Sequence, residues 1–238
     1  MKAAGQDSSR DRLLRAGKTL FADRGYEATT TAAIAKSAGT SHSQLVKHFK
    51  DKQGVIGAIL ERAWQQLNSA VQLAIDRINN PLERLTLAVN MFLTTIEKDE
   101  RLRAVLTLDG GALRTGSGKP LISRGYVQFA AILDGIVDQI VLQAQLRPEL
   151  NPRALRAALC GLLERFLRDE LLRHAGGVAI GYSEHDLQEM ISRLLSGCLT
   201  EGQPEIAPAR EAGPDDEVWI RQYVGLAERI LNIPPGEA

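Results

Sequence analysis

Residues 29–49 read TTTAAIAKSAGTSHSQLVKHF, and this stretch decides the fold. The threonine hydroxyls at its start cap a short helix through Ile34, which ends near Gly39 because glycine suits a helix C-terminus. Ser41 and Gln44 have the spacing of a capping box and open a second short helix. Only about four residues separate the two helices, so the stretch predicts a helix-turn-helix.

The second short helix has one apolar face and one polar face. Leu45 and Phe49 are expected to face inward with Ile34 and Ala38, because residues one helical turn apart share a face. The other face of such a helix lies in the DNA major groove in helix-turn-helix proteins. The residues expected to contact base edges are His42, Ser43, Val46 and Lys47. Phosphate contacts are expected from Thr30, Thr31, His48 and Lys52.

Helical periodicity continues on both sides of this stretch. Ser8 opens a helix that ends at Gly25, and Asp51 caps a long helix to about Ile78. Further helices are predicted from Pro81 through Ile96, over a short piece ending at Asp109, from Leu121 to about Leu146, from Arg153 to about His174, from Ser183 through Leu195, and around Trp219 to Leu231. A Pro- and Gly-rich linker precedes the last one at about 202–214. No useful β-alternation appears, so the chain is predicted to be all-α.

Charge is distributed unevenly along a chain whose formal net charge is zero. Residues 1–60 contain ten Lys and Arg against five Asp and Glu, which leaves +5, and the remaining residues therefore carry −5. A basic module attached to a mildly acidic body is suited to binding phosphates, although a solvated helical surface has the same composition. We therefore predict a helix-turn-helix domain at 1–54 and a helical regulatory and dimerisation domain at 55–238.

The cysteine content and the hydropathy of the chain predict a cytoplasmic protein. Cys160 and Cys198 have no CxxC spacing and no clustered histidines, so neither a disulfide framework nor a zinc site is expected. The first residues are charged, and no uninterrupted apolar run approaches the roughly 18 to 20 residues of a membrane span. We expect no membrane association, no metal and no cofactor.

The N-terminal residues resemble the tetracycline-repressor (TetR) family. The resemblance rests on residues 10–60, about a quarter of the chain. The matching positions are Arg12, Leu13, Ala16, Leu20 and Phe21, then Gly25 to Thr30, Ile34-Ala35, Ala38-Gly39, Ser41, Leu45, His48-Phe49 and Lys52. The resemblance implies a homodimer, a helical ligand-binding domain, and repression that a small molecule relieves.

Two positions of the motif have an uncertain role in DNA binding. Val46 stands where members of the family usually have an aromatic residue that contacts DNA, and valine cannot form a hydrogen bond. The resemblance implies that Gln44 contacts DNA, whereas the capping box makes Gln44 the return arm to Ser41. Both Ser41 and Gln44 are included among the predicted DNA-binding residues. The capping interpretation of Gln44 is the one we favour from the sequence.

A dimer is also expected because one helix-turn-helix reads only a few base pairs. Two copies related by a two-fold axis would read an inverted repeat with half-sites one or more DNA turns, roughly 34 Å, apart. The interface is expected on two apolar helix faces, which could instead complete the core of one copy. Its residues are Leu155, Leu159, Leu162, Leu163, Phe166, Leu187, Ile191, Leu194 and Leu195.

An apolar cavity between helices is the expected site for a small-molecule effector. The aromatic residues and methionine assigned to it occur at helical spacing among leucines, where they are also suited to the core. The pocket residues are predicted to be Trp64, Met91, Phe92, Phe129 and Phe166, with Asp109, Arg114 or Tyr126 as polar anchors. We expect binding there to shift the helix from Asp51 to Ile78 and thereby change the separation of the two DNA modules.

Two other functions are alternatives to an effector-controlled regulator. Residues 115–120 suggest a phosphate loop, but the loop requires a glycine where Leu113 stands and Ser or Thr where Pro120 stands. An enzyme is not expected, because the sequence contains no nucleophile–base pair, paired carboxylates or metal-ligand spacing. A DNA-binding regulator controlled by a protein partner is the alternative, since residues 202–233 are long enough to bind one.

Overall fold

The computed structural model describes residues 8–109, 118, 121–143, 145–174 and 181–200. These residues form helices, apart from one isolated antiparallel bridge between Leu146 and Leu199. The helices are α1 (Ser9–Ala28), α2 (Thr31–Ser37), α3 (His42–Phe49), α4 (Lys52–Ile75), α5 (Pro81–Lys98), α6 (Glu100–Leu106), α7 (Arg124–Leu142), α8 (Pro152–His174) and α9 (Glu184–Gly197). The predicted all-α class is confirmed. The predicted linker and last helix, and Arg114, lie outside the described residues.

Side-chain caps begin several helices where the sequence predicts them. The hydroxyl oxygens of Ser8, Thr30 and Ser41 accept hydrogen bonds from backbone N–H groups in the first turns of α1, α2 and α3. Asp51 Oδ1 accepts from the Gly54 N–H at 2.8 Å, and Ser183 forms a complete capping box with Asp186. Local sequence therefore determines where these helices begin.

Two helices differ in extent from the prediction. In α1, Gly25 has a φ of 78°, yet the helix resumes for one short turn and ends at Ala28. The helix predicted from Leu121 to Leu146 is α7, which is shorter at both ends. Its first turn begins after Ser123, whose Oγ accepts the Tyr126 N–H at 3.1 Å. An N-cap that the apolar pattern did not reveal therefore sets the start of α7.

The chain divides into two compact units, which contain the described residues of Met1–Trp64 with Asp99–Tyr126 (unit 1) and of Gln65–Lys98 with Val127–Ala238 (unit 2). This division does not coincide with the predicted boundary between residues 54 and 55. The reason is that α6 packs against α1, and Lys18 Nζ lies 2.6 Å from Asp99 Oδ2 beside that contact.

Unit 1 has a core made by α1 to α4 and α6. The apolar side chains of Leu13, Ile34, Leu45 and Ile56 are fully buried in it. Helices α1 and α4 approach closely at Gly17, where an added Cβ would lie 2.9 Å from Val55 Cγ1. The small three-helix module α1 to α3 is therefore held on the first part of α4.

Unit 2 has a core in which α5 contacts both α8 and α9. Leu85, Leu93, Leu133 and Ile140 are among its fully buried residues. Among the described helices, α7 alone is long and apolar enough to cross a membrane by length and composition, with a third of its apolar window buried. The core helices of globular proteins satisfy the same two criteria.

Candidate functional site

Helix α3 places its apolar and polar residues as the sequence predicts. Leu45 is fully buried and Phe49 nearly so, together with Ile34 and Ala38 of the preceding segment. The predicted groove-facing residues all lie on the exposed side of α3: His42, Ser43, Val46 and Lys47. This face is polar apart from the side chain of Val46, which is 44% exposed.

The turn from α3 to α4 fixes the direction of both helices. Lys50 has a left-handed φ of 72°, and the Asp51 carboxylate caps α4. Gly54 is tightly enclosed, because an added Cβ would lie 1.8 Å from the Phe49 carbonyl oxygen. Sequence reasoning missed Gly54, since a glycine in the first turn of a helix carries no distinct signal.

Lys52 points back toward the end of α1. Its Nζ donates to the carbonyl oxygens of Tyr26 at 2.9 Å and Glu27 at 3.3 Å, and it lies 4.3 Å from the centroid of the Tyr26 ring. Burial raises the pKa of the Tyr26 phenol, so the ring stays neutral beside the cation. Lys52 therefore joins α4 to α1, and its predicted phosphate contact stays a prediction.

Two histidines connect α3 to its neighbours. His42 Nε2 lies 3.0 Å from Thr31 Oγ1 of α2, and His48 Nε2 lies 2.9 Å from Ser9 Oγ of α1. Thr30 is exposed, and its hydroxyl caps α2. Contacts within the protein therefore orient both imidazoles, and the one at His42 joins two side chains that are predicted to contact DNA.

Only one of the two hydrogen bonds of the predicted Ser41–Gln44 capping box forms. Ser41 Oγ accepts the Gln44 N–H at 3.3 Å and lies 2.9 Å from Ser43 Oγ. No bond runs from the Gln44 side chain back to Ser41 in this fully described segment, so the interpretation that we favoured for Gln44 is wrong. The half-exposed Gln44 amide is thus available to DNA.

Two arginines of α1 hold the other helices of the module. Arg12 Nε donates to the Ala38 carbonyl at 3.1 Å, where α2 ends. The Arg10 guanidinium carbon lies 5.5 Å from the centroid of the Phe49 ring. Arg12 was known only as a position of the family motif, and its contact depends on residues that are distant in sequence.

The predicted pocket residues divide between the two units. In unit 1, Trp64 Nε1 donates to Asp109 Oδ2 at 2.8 Å, and the Tyr126 ring lies 5.5 Å from the Trp64 ring. Asp109 also accepts the Ser123 N–H at 2.9 Å and the Ser123 hydroxyl at 2.5 Å. Asp109 is thus committed to bonds within the protein, which leaves it little capacity to anchor a ligand.

The remaining described pocket residues lie in unit 2. Phe92 and Phe129 stack with ring centroids 5.5 Å apart, and Phe166 is 1% exposed. Met91 is half-buried. The three phenylalanines therefore belong to the buried core of unit 2, and Met91 is only partly covered.

An open groove of about 340 Å³ lies in unit 2 among α4, α5 and α7. None of the predicted pocket residues that the structure describes lines it. Its lining residues are Gln72, Ile75, Arg84, Gln128, Ala131, Ile132, Gly135 and Ile136. Sequence reasoning missed the groove because its residues belong to three helices and carry no shared motif.

The predicted interface residues are mostly covered within one copy. Six of them are buried: Leu159, Leu163, Phe166, Leu187, Ile191 and Leu195. Leu155 and Leu162 are half-buried, and Leu194 is 50% exposed, next to Met190 at 52%. For the six buried residues, completion of the core is therefore the observed role.

A charge cluster around the buried Asp169 carboxylate joins α8 to the start of α9. Asp169, 4% exposed, accepts the Tyr182 hydroxyl at 2.7 Å and pairs with Arg165 at 2.6 Å. Burial opposes ionisation of Asp169, but its bonds to Tyr182 and Arg165 outweigh burial and lower its pKa. Burial and the Asp169 carboxylate raise the pKa of Tyr182 to about 12. Arg173 donates to the Tyr182 carbonyl at 2.7 Å, which completes the cluster.

Residues 13–59 match the sequence pattern of the family described as bacterial regulatory proteins, tetR family. The chain is also similar to the HTH-type transcriptional repressor KstR2 of Mycolicibacterium smegmatis. The two are 31% identical over 166 residues, which cover 68% of this chain and 75% of KstR2. The similarity therefore extends well beyond the helix-turn-helix.

Solved structures have the same fold. SmeT, the repressor of the Stenotrophomonas maltophilia multidrug efflux pump SmeDEF, is 19% identical with a TM-score of 0.69, covering 88% of this chain and 98% of SmeT. FadR from Bacillus subtilis, a transcriptional regulator solved in complex with stearoyl-CoA, is 19% identical with a TM-score of 0.67, covering 77% of this chain and 96% of FadR. Likeness at this identity concerns the fold alone.

Proposed function

The chain belongs to the tetR family of bacterial regulatory proteins, and on this premise we propose a dimeric transcriptional repressor that releases its operator when a small hydrophobic molecule binds. The observation that carries the proposal is the exposed polar face of α3, on a helix held rigidly by Leu45 and Phe49. An exposed helix of this kind can enter the DNA major groove. We assign the protein no catalytic activity and a cytoplasmic location.

Base contacts in this proposal come from α3. His42 and Ser43 exchange hydrogen bonds with base edges, Val46 packs on a thymine methyl, and Lys47 donates to a guanine or a phosphate. Ser41, Gln44 and His48 flank them, and Thr30, Thr31 and Lys52 approach the phosphates. Because Val46 supplies no hydrogen bond, recognition at its position depends on shape and apolar contact.

Dimerisation in this proposal uses the outward faces of α8 and α9. Met190 and Leu194 on α9 are half-exposed apolar side chains, and Leu155 and Leu162 on α8 remain partly exposed. Paired across a two-fold axis, these faces would form the dimer interface, and the dimer would supply one copy of α3 for each half of an inverted repeat.

Control by a small molecule is supported by the family and by one structural neighbour. FadR from Bacillus subtilis was solved with stearoyl-CoA, which is an apolar chain on a polar head. Helix α4 is one continuous helix from Lys52 to Ile75, and only two residues separate it from α3. A ligand that prefers one position of α4 would therefore favour one spacing of the DNA modules, which is the condition for a population shift.

The test is a selection of random DNA duplexes by the purified full-length protein at about physiological salt, followed by sequencing of the bound pool. We expect an enriched inverted repeat. Binding without enrichment, which disappears as salt rises, would contradict sequence-specific recognition. In that case control by a protein partner through residues 202–233 becomes the better account.

A further inference from the structure

The groove in unit 2 combines an apolar lining with one charged side chain. Ile75 and Ile136 form its buried part, each 4% exposed, and Ile132 extends the apolar wall. Among the described residues that line it, Arg84 of α5 is the charged one. At about 340 Å³ the volume falls at the lower end of the range for small-molecule sites, which is roughly 300 to 1,000 Å³.

The Arg84 guanidinium has donors that are available to a ligand. Its Nε donates to the carbonyl oxygen of Ile78 at 2.5 Å, which fixes the plane of the guanidinium. Among the described residues, no carboxylate lies within ion-pair distance of Arg84. The remaining N–H donors of a guanidinium form a fork that matches the two oxygens of a carboxylate.

The polar rim of the groove limits the charge of a ligand. Gln128 of α7 is exposed, and Gln72 of α4 donates to Asp76 Oδ1 at 2.6 Å. The Asp76 carboxylate is bonded to a lining residue without lining the groove itself. It repels a second negative charge placed at the rim, so one anionic group is favoured over several.

Gly135 lines the groove at a point where the space beside the helix backbone is open. An added Cβ at Gly135 would have no atom within 4 Å, and the residue lies inside α7 with a normal helical φ. Glycine destabilises a helix interior by about 1 kcal/mol relative to alanine, and here no neighbour requires its small size. The space above Gly135 is therefore available to a ligand.

We propose that this groove binds a small amphipathic monocarboxylate, with its apolar body on Ile132 and Ile136 and its carboxylate on Arg84. This inference rests on the proposed function, because it names the effector class and places the effector site. The apolar lining excludes strongly hydrated ligands, and the single guanidinium selects an anionic head over a neutral or cationic one.

The test compares three probes that share a ten-carbon chain: decanoate, decanol and decylamine, titrated calorimetrically into the full-length protein. Decanoate is expected to bind most tightly. Arg84→Gln should weaken decanoate binding roughly tenfold to a hundredfold, as for a lost charge-assisted hydrogen bond, and leave decanol binding unchanged. Gly135→Phe should abolish binding of both, because its ring fills the groove.

Val127→Phe is the matched control for Gly135→Phe. It adds a ring to α7 at a side chain that is 57% exposed and does not line the groove, and it should leave the affinity for all three probes unchanged. Thermal melts of each variant establish that it is folded. Decanoate binding that equals decylamine binding, or that survives Gly135→Phe, would overturn the proposal.

Operator binding without ligand separates this inference from the proposed function. If the wild-type protein binds an inverted repeat but decanoate does not bind in the groove as expected, the proposed repressor function is supported and the proposed ligand site is wrong. If decanoate binds in the groove as expected but no operator is selected, the proposed function fails and the ligand site stands.

Discussion

Helices α3 and α8 both have an apolar face, yet only for α3 does the sequence identify the face that stays exposed. In α3, Leu45 and Phe49 are buried by the neighbouring helices of a small module, and the exposed residues are polar apart from Val46. In α8, Leu159, Leu163 and Phe166 are buried in unit 2, while Leu155 and Leu162 on the same helix stay partly exposed. Periodicity shows which residues avoid water, but it does not show whether the same chain or a second copy covers them.

The largest expected effect is a loss of unfolding free energy from a substitution in the turn between α3 and α4. Gly54→Ala places a Cβ against the Phe49 carbonyl oxygen and should destabilise the protein by about 3 kcal/mol or more, because the backbone must move. Urea denaturation measures the change.

Gly57→Ala is the control for this substitution, on the same helix with nothing within 4 Å. It should be neutral or stabilise the protein by up to about 1 kcal/mol, since alanine is the better helix former. Equal effects of the two substitutions would show that the turn is not the tight element described above.

The second prediction separates core from interface on α8 and α9. Phe166→Ala should destabilise the folded chain by about 3 to 5 kcal/mol, because it leaves a cavity in unit 2. Leu194→Ala removes a half-exposed side chain and should weaken dimer association while changing the unfolding of the chain by less than about 1 kcal/mol. Denaturation and analytical ultracentrifugation distinguish the two, and similar results for both variants would contradict this assignment.

The charge cluster between α8 and α9 gives a pH-dependent prediction. Tyr182→Phe removes one hydroxyl and should cost about 1 to 2 kcal/mol of unfolding free energy near neutral pH, as for a hydrogen bond to a charged group. The lowered pKa of Asp169 stabilises the fold above its ordinary value of 3.8, and this contribution is lost as pH falls through the lower folded value. The raised pKa of Tyr182 stabilises the fold below pH 10.0, the ordinary pKa of tyrosine. This stabilisation is lost as pH rises toward the folded pKa of about 12.

The difference between wild type and Tyr182→Phe should therefore be largest between about pH 5 and 9 and should shrink at both extremes. Denaturation at a series of pH values checks this. A difference that stays constant across the series would mean that the hydroxyl does not bond to an ionised Asp169.

The smallest expected effect is a change in DNA affinity when Lys52 is replaced. In the unbound protein the Lys52 ammonium is bonded within the protein, and this bond competes with the predicted DNA contact. Lys52→Ala should weaken binding to all DNA sequences and reduce the slope of log affinity against log salt by about one unit. The Tyr26 and Glu27 carbonyls hold the ammonium in the unbound protein. An unaltered slope would confine Lys52 to its structural role.

The helix-turn-helix, its caps at Thr30 and Ser41, and the exposed face of α3 followed from short-range patterns, and the structure confirms their positions. The Gly54 contact and the Arg12 bond to Ala38 depend on residues that packing brings together. The groove was missed for the same reason, because Arg84 and Gly135 lie 51 positions apart and on different helices.

The central claim is that α3 of each of two copies reads one half of a symmetric operator. It is tested most directly by repeating the DNA selection with wild type, His42→Ala and Lys47→Ala, with Gly57→Ala as a control outside the recognition face. We predict that each of the first two variants changes base preference at one pair of symmetric positions, while Gly57→Ala selects the wild-type inverted repeat. Identical selected sequences from all four proteins would contradict the claim.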